Sequence, residues 1–524
     1  MQEFNSYRYK KILKIFLIGV IIILLFPLTT FLLLQIDSVQ NFVAKKVVES
    51  FSDKIKTKIT LDALSFAFSG KIAIKNLCIY DEKNDTAIFV QRTTIDIEKY
   101  LIKKNKIIVD KCELSNAKIA LEKDSAKLNI QNLIDWISKS DTITNKKSWT
   151  ILIDDLGIKN SRFSYFDHNL KKEGERSFLN EFSLNNINIR IKKINIGKEE
   201  VSCNIKLLSF MDKSKFEVKK FTTKINVDKN SLELNDLSLY TNKSNFKAST
   251  IKLIYTDIKN LVNNFNKLYI ETNIKTSKIF FKDIGYFYEP LKNKDDYVEF
   301  SFVSKGILSD IRFRDVTIKT GRATVFKGNI AVTGIPNFND SYYFIDAKEL
   351  TILYNDIEEY INQLGNKEIK NKSDFFKKLG YVSFKGNFNG FLNDFVTFGT
   401  VNNDLGKINL DILLRPKSKN NVEFNGEIDI SDLKIGEILD IGNLINDVSL
   451  NLIINGSINE NKKINSNLNG FISKISIKDY LLKNISTKGT ITNNVFSGNT
   501  SIHDSLIYID VSGIFDFNKE HPSY

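Results

Sequence analysis

Isoleucine, leucine and phenylalanine recurring at every second position are the residues through which this sequence can act. The chemistry open to them is the covering of other apolar matter, not bond making. Ile187, Ile189 and Ile191 alternate with Asn188 and Arg190, and Phe300 with Phe302, Phe313, Phe384 with Phe388, Leu450 with Leu452, and Ile475 with Ile477 fall in similar short alternations. A period of two puts such side chains on one face of a strand and leaves the other face wet. The apolar face can pack on another sheet, as in a sandwich or solenoid. It can instead line an open trough that accepts acyl chains, since an exposed apolar strip of that length is costly unless a ligand covers it. Periodicity weighs the two equally, and in the second reading the twelve residues just named are the lipid-contacting ones.

Bond-making chemistry finds little to use. The 524 residues include only three His (His168, His503, His521) and three Cys (Cys78, Cys112, Cys203), with neither ligand spacing nor enough thiols for a disulfide framework. No nucleophile elbow, Walker loop or dinucleotide glycine fingerprint is present. No catalytic, cofactor-binding or metal-binding residue is therefore expected, and the chain does not read as an enzyme. Cys203 lies inside an apolar strand and reads as core; Trp136 and Trp149 read as packing anchors. The net charge of +13 comes from Lys and Arg spread along strands and turns without a recognition motif, so nucleic acid is not an expected partner. A solvated face explains the charge, with attraction to anionic lipid headgroups or an acidic envelope polymer as the sharper reading. Only 5 Pro occur where average usage gives about 26, which excludes collagen-like and Pro-rich designs.

The elements that must position the apolar residues follow. A basic tail over 1–14 (Arg8, Lys10, Lys11, Lys14) precedes an uncharged run, Ile15–Leu34. Twenty residues at about 1.5 Å each span a hydrocarbon core of about 30 Å, so a single transmembrane anchor is expected. It outranks a cleaved signal peptide because the run is long and no small-x-small site precedes Asp37. The basic flank keeps the tail cytoplasmic and exports the rest. An amphipathic helix over 37–56 follows, with Asp37 as its cap and Gln40 at the capping-box position. It reads as a helix packed on the first strands or as a membrane-surface or sheet-end plug.

From 58 to 524 the pattern is mainly β, with antiparallel connections of a few residues and turns at 81–85, 228–230 and 242–245. Short helices are expected near 129–138, 257–268, 356–364, 373–379 and 433–441, too few to cover some thirty strands. Gly306-Ile-Leu-Ser-Asp-Ile311 recurs as Gly390-Phe-Leu-Asn-Asp-Phe395, each after an aromatic strand and each followed by a Pro ending a strand (Pro336, Pro416), with a degenerate copy at 456–459. Repeats of this kind stack, each burying its faces on its neighbours.

The order of tail, anchor, Leu34-Gln-Ile-Asp-Ser-Val-Gln-Asn-Phe42, amphipathic helix, Ile59-Thr-Leu-Asp62, Leu77-Cys-Ile-Tyr-Asp81 and Asp85-Thr-Ala-Ile-Phe89 resembles the N-terminal region of the Bacteroidota-type translocation and assembly module subunit TamB family, within the AsmA-like superfamily. Phe384-Lys-Gly-Asn-Phe-Asn-Gly-Phe-Leu-Asn-Asp-Phe395 and Leu405-Gly406 are similar to that family's repeated elements. The resemblance implies a transmembrane helix followed by a long curled antiparallel β-groove (a "β-taco"), in an inner-membrane protein with its body in the periplasm. It implies phospholipid as cargo, a BamA-type outer-membrane barrel as partner, and a role in inter-membrane phospholipid transport and outer-membrane protein assembly and secretion. No catalytic residue carries over. Family members are longer and contact the barrel through a far C-terminal domain, whereas Gly513-Ile-Phe-Asp-Phe-Asn518 reads as mid-repeat; the chain reads as a fragment, a prematurely ended gene or a short homologue, with the barrel contact expected to lie outside it. The alternative is an anchored structural β-solenoid or adhesin-like envelope protein with a closed core and no lipid.

Overall fold

The computed structural model describes residues 36–67, 70–101, 106–125, 127–140, 150–169, 181–197, 200–256, 265–356, 358, 377–418, 421–442, 444–459, 461, 463–478 and 480–516. The expected tail and membrane anchor, Trp149, and most of the helices expected at 257–268, 356–364 and 373–379 lie outside them. Among the described residues no helix is long and apolar enough to cross a membrane. The chain divides into two units, 1–245 with 283–292 and 246–282 with 293–524. Both are mainly β, and neither ladder closes on itself.

The first unit opens with α1 (Asp37–Ile55), followed by β1 (Ile59–Thr60), β2 (Ala63–Phe66), β3 (Lys71–Tyr80), β4 (Thr86–Leu101), β5 (Lys106–Asp124) and β6 (Lys127–Leu128). After α2 (Gln131–Ser140) come β7 (Thr150–Asp167), β8 (Glu181–Ile196), β9 (Glu200–Asp212), β10 (Glu217–Asp228) and β11 (Ser231–Tyr240). The expected amphipathic helix is present, but its N-cap is Ile36, whose carbonyl accepts from the Val39 and Gln40 amides. Asp37 is therefore the first residue of the helix rather than its cap. Gln40 turns inward instead, buried, and donates to the Phe66 carbonyl (3.4 Å). The helix packs on β1 and β2, with Phe51 edge-on to Trp136 of α2 at 6.0 Å.

The expectation of purely antiparallel connections fails at one place. β5 and β7 run parallel, from Lys106↔Thr150 to Lys123↔Asp167. Parallel neighbours need a crossover, and the segment carrying β6 and α2 supplies it.

The second unit contains β12 (Asn245–Ile254) but for its first residue, then β13 (Tyr269–Phe280), β14 (Tyr297–Ile307), β15 (Asp310–Thr320), β16 (Thr324–Thr333) and β17 (Tyr342–Leu353). These are followed by β18 (Tyr381–Phe391), β19 (Asp394–Asn403), β20 (Gly406–Ser418), β21 (Asn421–Leu433) and the short α3 (Ile435–Leu439). The last strands are β22 (Ile445–Asn459), β23 (Ile464–Ile477), β24 (Tyr480–Thr492), β25 (Val495–His503) and β26 (Tyr508–Asp516). From β13 to β26 each strand pairs antiparallel with the next. The two Gly-apolar-Asp strings occupy equivalent hairpins, β14–β15 and β18–β19. Gly306 and Gly390 share a left-handed φ of 143° and 144°, which only glycine adopts without strain. Pro336 follows β16 as expected. Pro416 sits inside β20, paired with Val422, so it does not end that strand. Helix α3 starts two residues later than expected because Leu433 still pairs with Val448.

One device recurs in both units. In Ile74-Lys-Asn-Leu77, Leu114-Ser-Asn-Ala117, Ile158-Lys-Asn-Ser161, Leu184-Asn-Asn-Ile187, Leu234-Asn-Asp-Leu237, Phe313-Arg-Asp-Val316, Ile430-Ser-Asp-Leu433 and Leu482-Lys-Asn-Ile485, the Asn or Asp takes φ between 47° and 53°. Asn and Asp tolerate this left-handed state best among residues with a side chain. Most of these residues fall at shifts in strand register, bulges at which a strand bends. Neighbouring strands satisfy several of the displaced amides: Asn160 donates to Asn188 Oδ1 (3.1 Å), Asp315 to Asn329 Oδ1 (3.1 Å) and Asp432 to Ser449 Oγ (2.8 Å). The residue after the kink is buried in seven of the eight cases: Ala117, Ser161, Ile187, Leu237, Val316, Leu433 and Ile485.

Candidate functional site

Register shows how the apolar residues line up. In the second unit a single row crosses β14 to β26 without a polar residue: Phe300, Ile318, Phe326, Leu350, Phe384, Val401, Ile408, Ile430, Leu450, Ile472, Ile485, Ile502 and Ile509, each directly opposite the next. Ile485 is buried, Ile509 is exposed, and the eleven others are half-buried. In the first unit Ile74, Thr93, Leu114, Ile158, Ile189, Leu208, Phe221 and Leu239 form a comparable row. Beside it run Ile72, Ile95, Cys112, Leu156, Ile191, Ile205 and Thr223.

The twelve residues singled out from the sequence fall on these apolar faces. Ile187, Ile189 and Ile191 lie on β8 of the first unit. Phe300, Phe302, Phe313, Phe384, Phe388, Leu450, Leu452, Ile475 and Ile477 lie in the second. They do not converge on one locus. Phe300, Phe302 and Phe313 touch (ring centroids 6.0 and 5.4 Å), Phe388 meets Phe395 at 4.8 Å, and the rest are distributed along the strands.

Packing on this face is thin. Among the described residues the bulkiest side chains less than 2% exposed are Ser277, Ser304 and Ser341. A closed sandwich core would place Leu, Ile and Phe there. One small cluster is packed more closely: Leu405, Leu433 and Val448 are buried against Leu379, Ile435 and Ile438. Elsewhere the sheet covers its own backbone. Phe384 lies over the facing pair Gly386 and Gly399, and Phe496 over Gly489 and Gly498. Aromatic rings over strand glycines stabilise those positions without another layer.

The other face is wet and charged. In the first unit Lys71, Asp96, Lys111, Asp155 and Lys192 stand opposite one another in alternating sign. Arg190 beside Asp155 (2.9 Å) holds that carboxyl below its ordinary value. Exposed pairs of this kind contribute little each and fix register more than stability. Burial pushes the Cys203 and Cys112 thiols up, and among the described residues no group of His, Cys, Asp and Glu could hold a metal ion.

Sequence reading missed the carboxylates that clamp turns at the strand ends. Asp283 accepts from Thr241 Oγ1 (2.5 Å) and from the Lys243 and Ser244 amides (3.1 and 2.9 Å). Asp356 accepts from the Arg322, Ala323 and Thr324 amides (2.8, 2.9 and 3.0 Å). Burial pushes both carboxyls up, but the hydrogen bonds together outweigh it and hold both below the ordinary value. A folded pKa below the unfolded one, about 3.9, contributes stability that is present above that pH and lost as pH falls through the folded value. Melting temperature is therefore expected to drop as pH falls below about 4, and the Asp283→Asn/Asp356→Asn chain to show a shallower drop from a lower start. Equal slopes in the two melting series would refute the clamps.

No family model matches the chain, and neither a curated protein nor a solved structure matches it.

Proposed function

We propose that this chain is an inner-membrane-anchored periplasmic scaffold of the TamB/AsmA-like kind, with its apolar face forming a groove for acyl chains. It serves inter-membrane phospholipid transport and, through a BamA-type barrel partner, outer-membrane protein assembly and secretion. The observation that carries the reading is the row from Phe300 to Ile509, unbroken across β14–β26 yet mostly half-exposed. The uncharged run Ile15–Leu34 supports the anchor.

The mechanism follows from the sameness of the row. Burying a methylene is worth about 0.8 kcal/mol wherever it occurs. Neighbouring strands, about 4.8 Å apart, offer nearly the same surface. An acyl chain lying across the strands gains at each step about what it gives up, so displacement along the row meets no deep well. Nothing needs to be made or broken, in keeping with the sparse His and Cys.

Extraction of the full chain in mild detergent, followed by lipid mass spectrometry, is expected to find co-purified phospholipid. Photo-crosslinkers at Phe326 and Ile472 should label it, and one on the wet face, at Lys327, should not. A well-folded preparation without lipid would sink the proposal. The cluster of Leu405, Leu433 and Val448 favours a second reading locally, a structural β protein with a closed core; in that case neither apolar-face probe labels lipid.

A further inference from the structure

The wet face of the second unit carries an apolar patch that lipid in the groove would leave uncovered. Tyr342, Phe344, Phe391, Val396 and Phe398 point away from the apolar rows and are 39–52% exposed. They are neighbours: Phe344 and Val396 both stand opposite Asn389 on β18. Tyr342 donates to Asn389 Oδ1 (2.7 Å) and meets the Phe391 ring at 5.2 Å.

Two like-charge pairs flank this patch on the same face. Lys305 on β14 stands directly opposite Arg312 on β15, with Arg314 two residues on. Asp411 on β20 stands directly opposite Glu427 on β21. Like charges face to face across strands are destabilising. Among the described residues Lys305, Arg312, Arg314 and Asp411 have no ion-pair partner; Glu271 stands across from Lys305 without forming one, and Glu427 accepts only from Asn451 (2.5 Å).

The placement is symmetric across the strands; along them the acidic pair stands level with Arg314, one step from Lys305 and Arg312. The basic pair straddles the β14–β15 boundary and the acidic pair the β20–β21 boundary, each three strands from the boundary between β17 and β18. We propose that two copies of this chain dock through this face about a two-fold axis running along the strands between β17 and β18. That rotation sets β15 of one copy against β20 of the other. Arg314 lies level with the row Asn329, Asp346, Asn387, Phe398, Asp411, so it meets the other copy's Asp411 twice over. Tyr342 meets Phe391, and Val396 meets Ala331. The interface is isologous, as a closed dimer requires, and its centre has the aromatic and Arg content of protein contacts. A bilayer surface fits the face less well, because Asp346 and Asp411 lie inside it.

The test uses the full chain in detergent micelles, with sedimentation velocity over a range of concentrations. Wild type is expected to dimerise. Arg312→Glu/Arg314→Glu and Asp411→Lys/Glu427→Lys should each weaken the dimer about tenfold or more, since like charges then meet. Mixing the two variants should restore association, because the contact between positions 314 and 411 is again complementary on both sides of the axis; this also shows that both variants fold. A photo-crosslinker at Phe398 should yield a dimer-sized product. A wild-type monomer, a dimer indifferent to both reversals, a mixture that stays dissociated, or a Phe398 crosslink only to lipid or another protein overturns the proposal.

Discussion

Gly386→Val is expected to unfold the sheet around β18 and β19 while leaving distant strands folded. A Cβ built at Gly386 stands 2.2 Å from the Phe398 carbonyl oxygen, 2.6 Å from Gly399 Cα and 2.9 Å from the Phe384 ring. Two of the three obstacles are backbone, so the strand spacing itself must open. Ordinary overpacking, relieved by side-chain shifts, costs about 1–3 kcal/mol; moving a paired strand costs more. Gly328 and Gly426 are in the same position, 2.0 and 2.1 Å from the Asp346 and Asp411 carbonyl oxygens. In a ladder where each strand touches only its neighbours, the damage stays local. Hydrogen exchange should show lost protection over β17–β20 and retained protection over β23–β25. Removing the ring with Phe384→Ala should not rescue the variant, because the backbone contacts remain. Gly513→Ala is the control: its nearest neighbour is the Phe515 ring at 3.8 Å, and the change should be silent. A Gly386→Val chain as protected as wild type would show that the close approach does not exist.

The β class, the turns and the apolar faces are legible in the sequence because period two is a direct consequence of the pleat. The rows are not, because register between strands depends on pairs such as Leu350↔Phe384 that are far apart in the chain. The kinks are legible but easily misread. Ile74-Lys-Asn-Leu77 and its seven counterparts break alternation by one residue, so a scan for strict period two cuts each strand there. That is why Ile187, Ile189 and Ile191 stand out as one short run and Leu184, on the same face, does not. An apolar residue, any residue, Asn or Asp, then an apolar or small residue is the string that marks the bend. The parallel pair β5–β7 leaves no comparable trace, since its strands alternate like the others. Asp283 and Asp356 look like any loop carboxylate until folding brings turns 32 to 42 residues away against them.

Ile318→Glu and Ile502→Glu, at β15 and β25, separate a conduit from a local binding site. Both positions are half-buried in the long row, Ile318 between Phe300 and Phe326, Ile502 between Ile485 and Ile509. In a closed core an ionised carboxylate costs several kcal/mol or forces protonation. On an uncovered face the carboxylate reaches water, and the loss is limited to the partial burial of one isoleucine, on the order of 1 kcal/mol. Thermal melting within a few degrees of wild type is therefore expected for both variants. Function should respond differently. Steps in series are limited by their worst member, so one charge anywhere in the row halts an acyl chain that must pass it. If the proposed conduit is right, each single variant should lose as much inter-membrane phospholipid transport as the double, although lipid crosslinking at Phe326 persists in Ile502→Glu. A local site predicts the opposite: one substitution abolishes function, the other is silent, and the double matches the harmful single. If both variants instead melt many degrees lower, the face is closed and the groove reading fails with it.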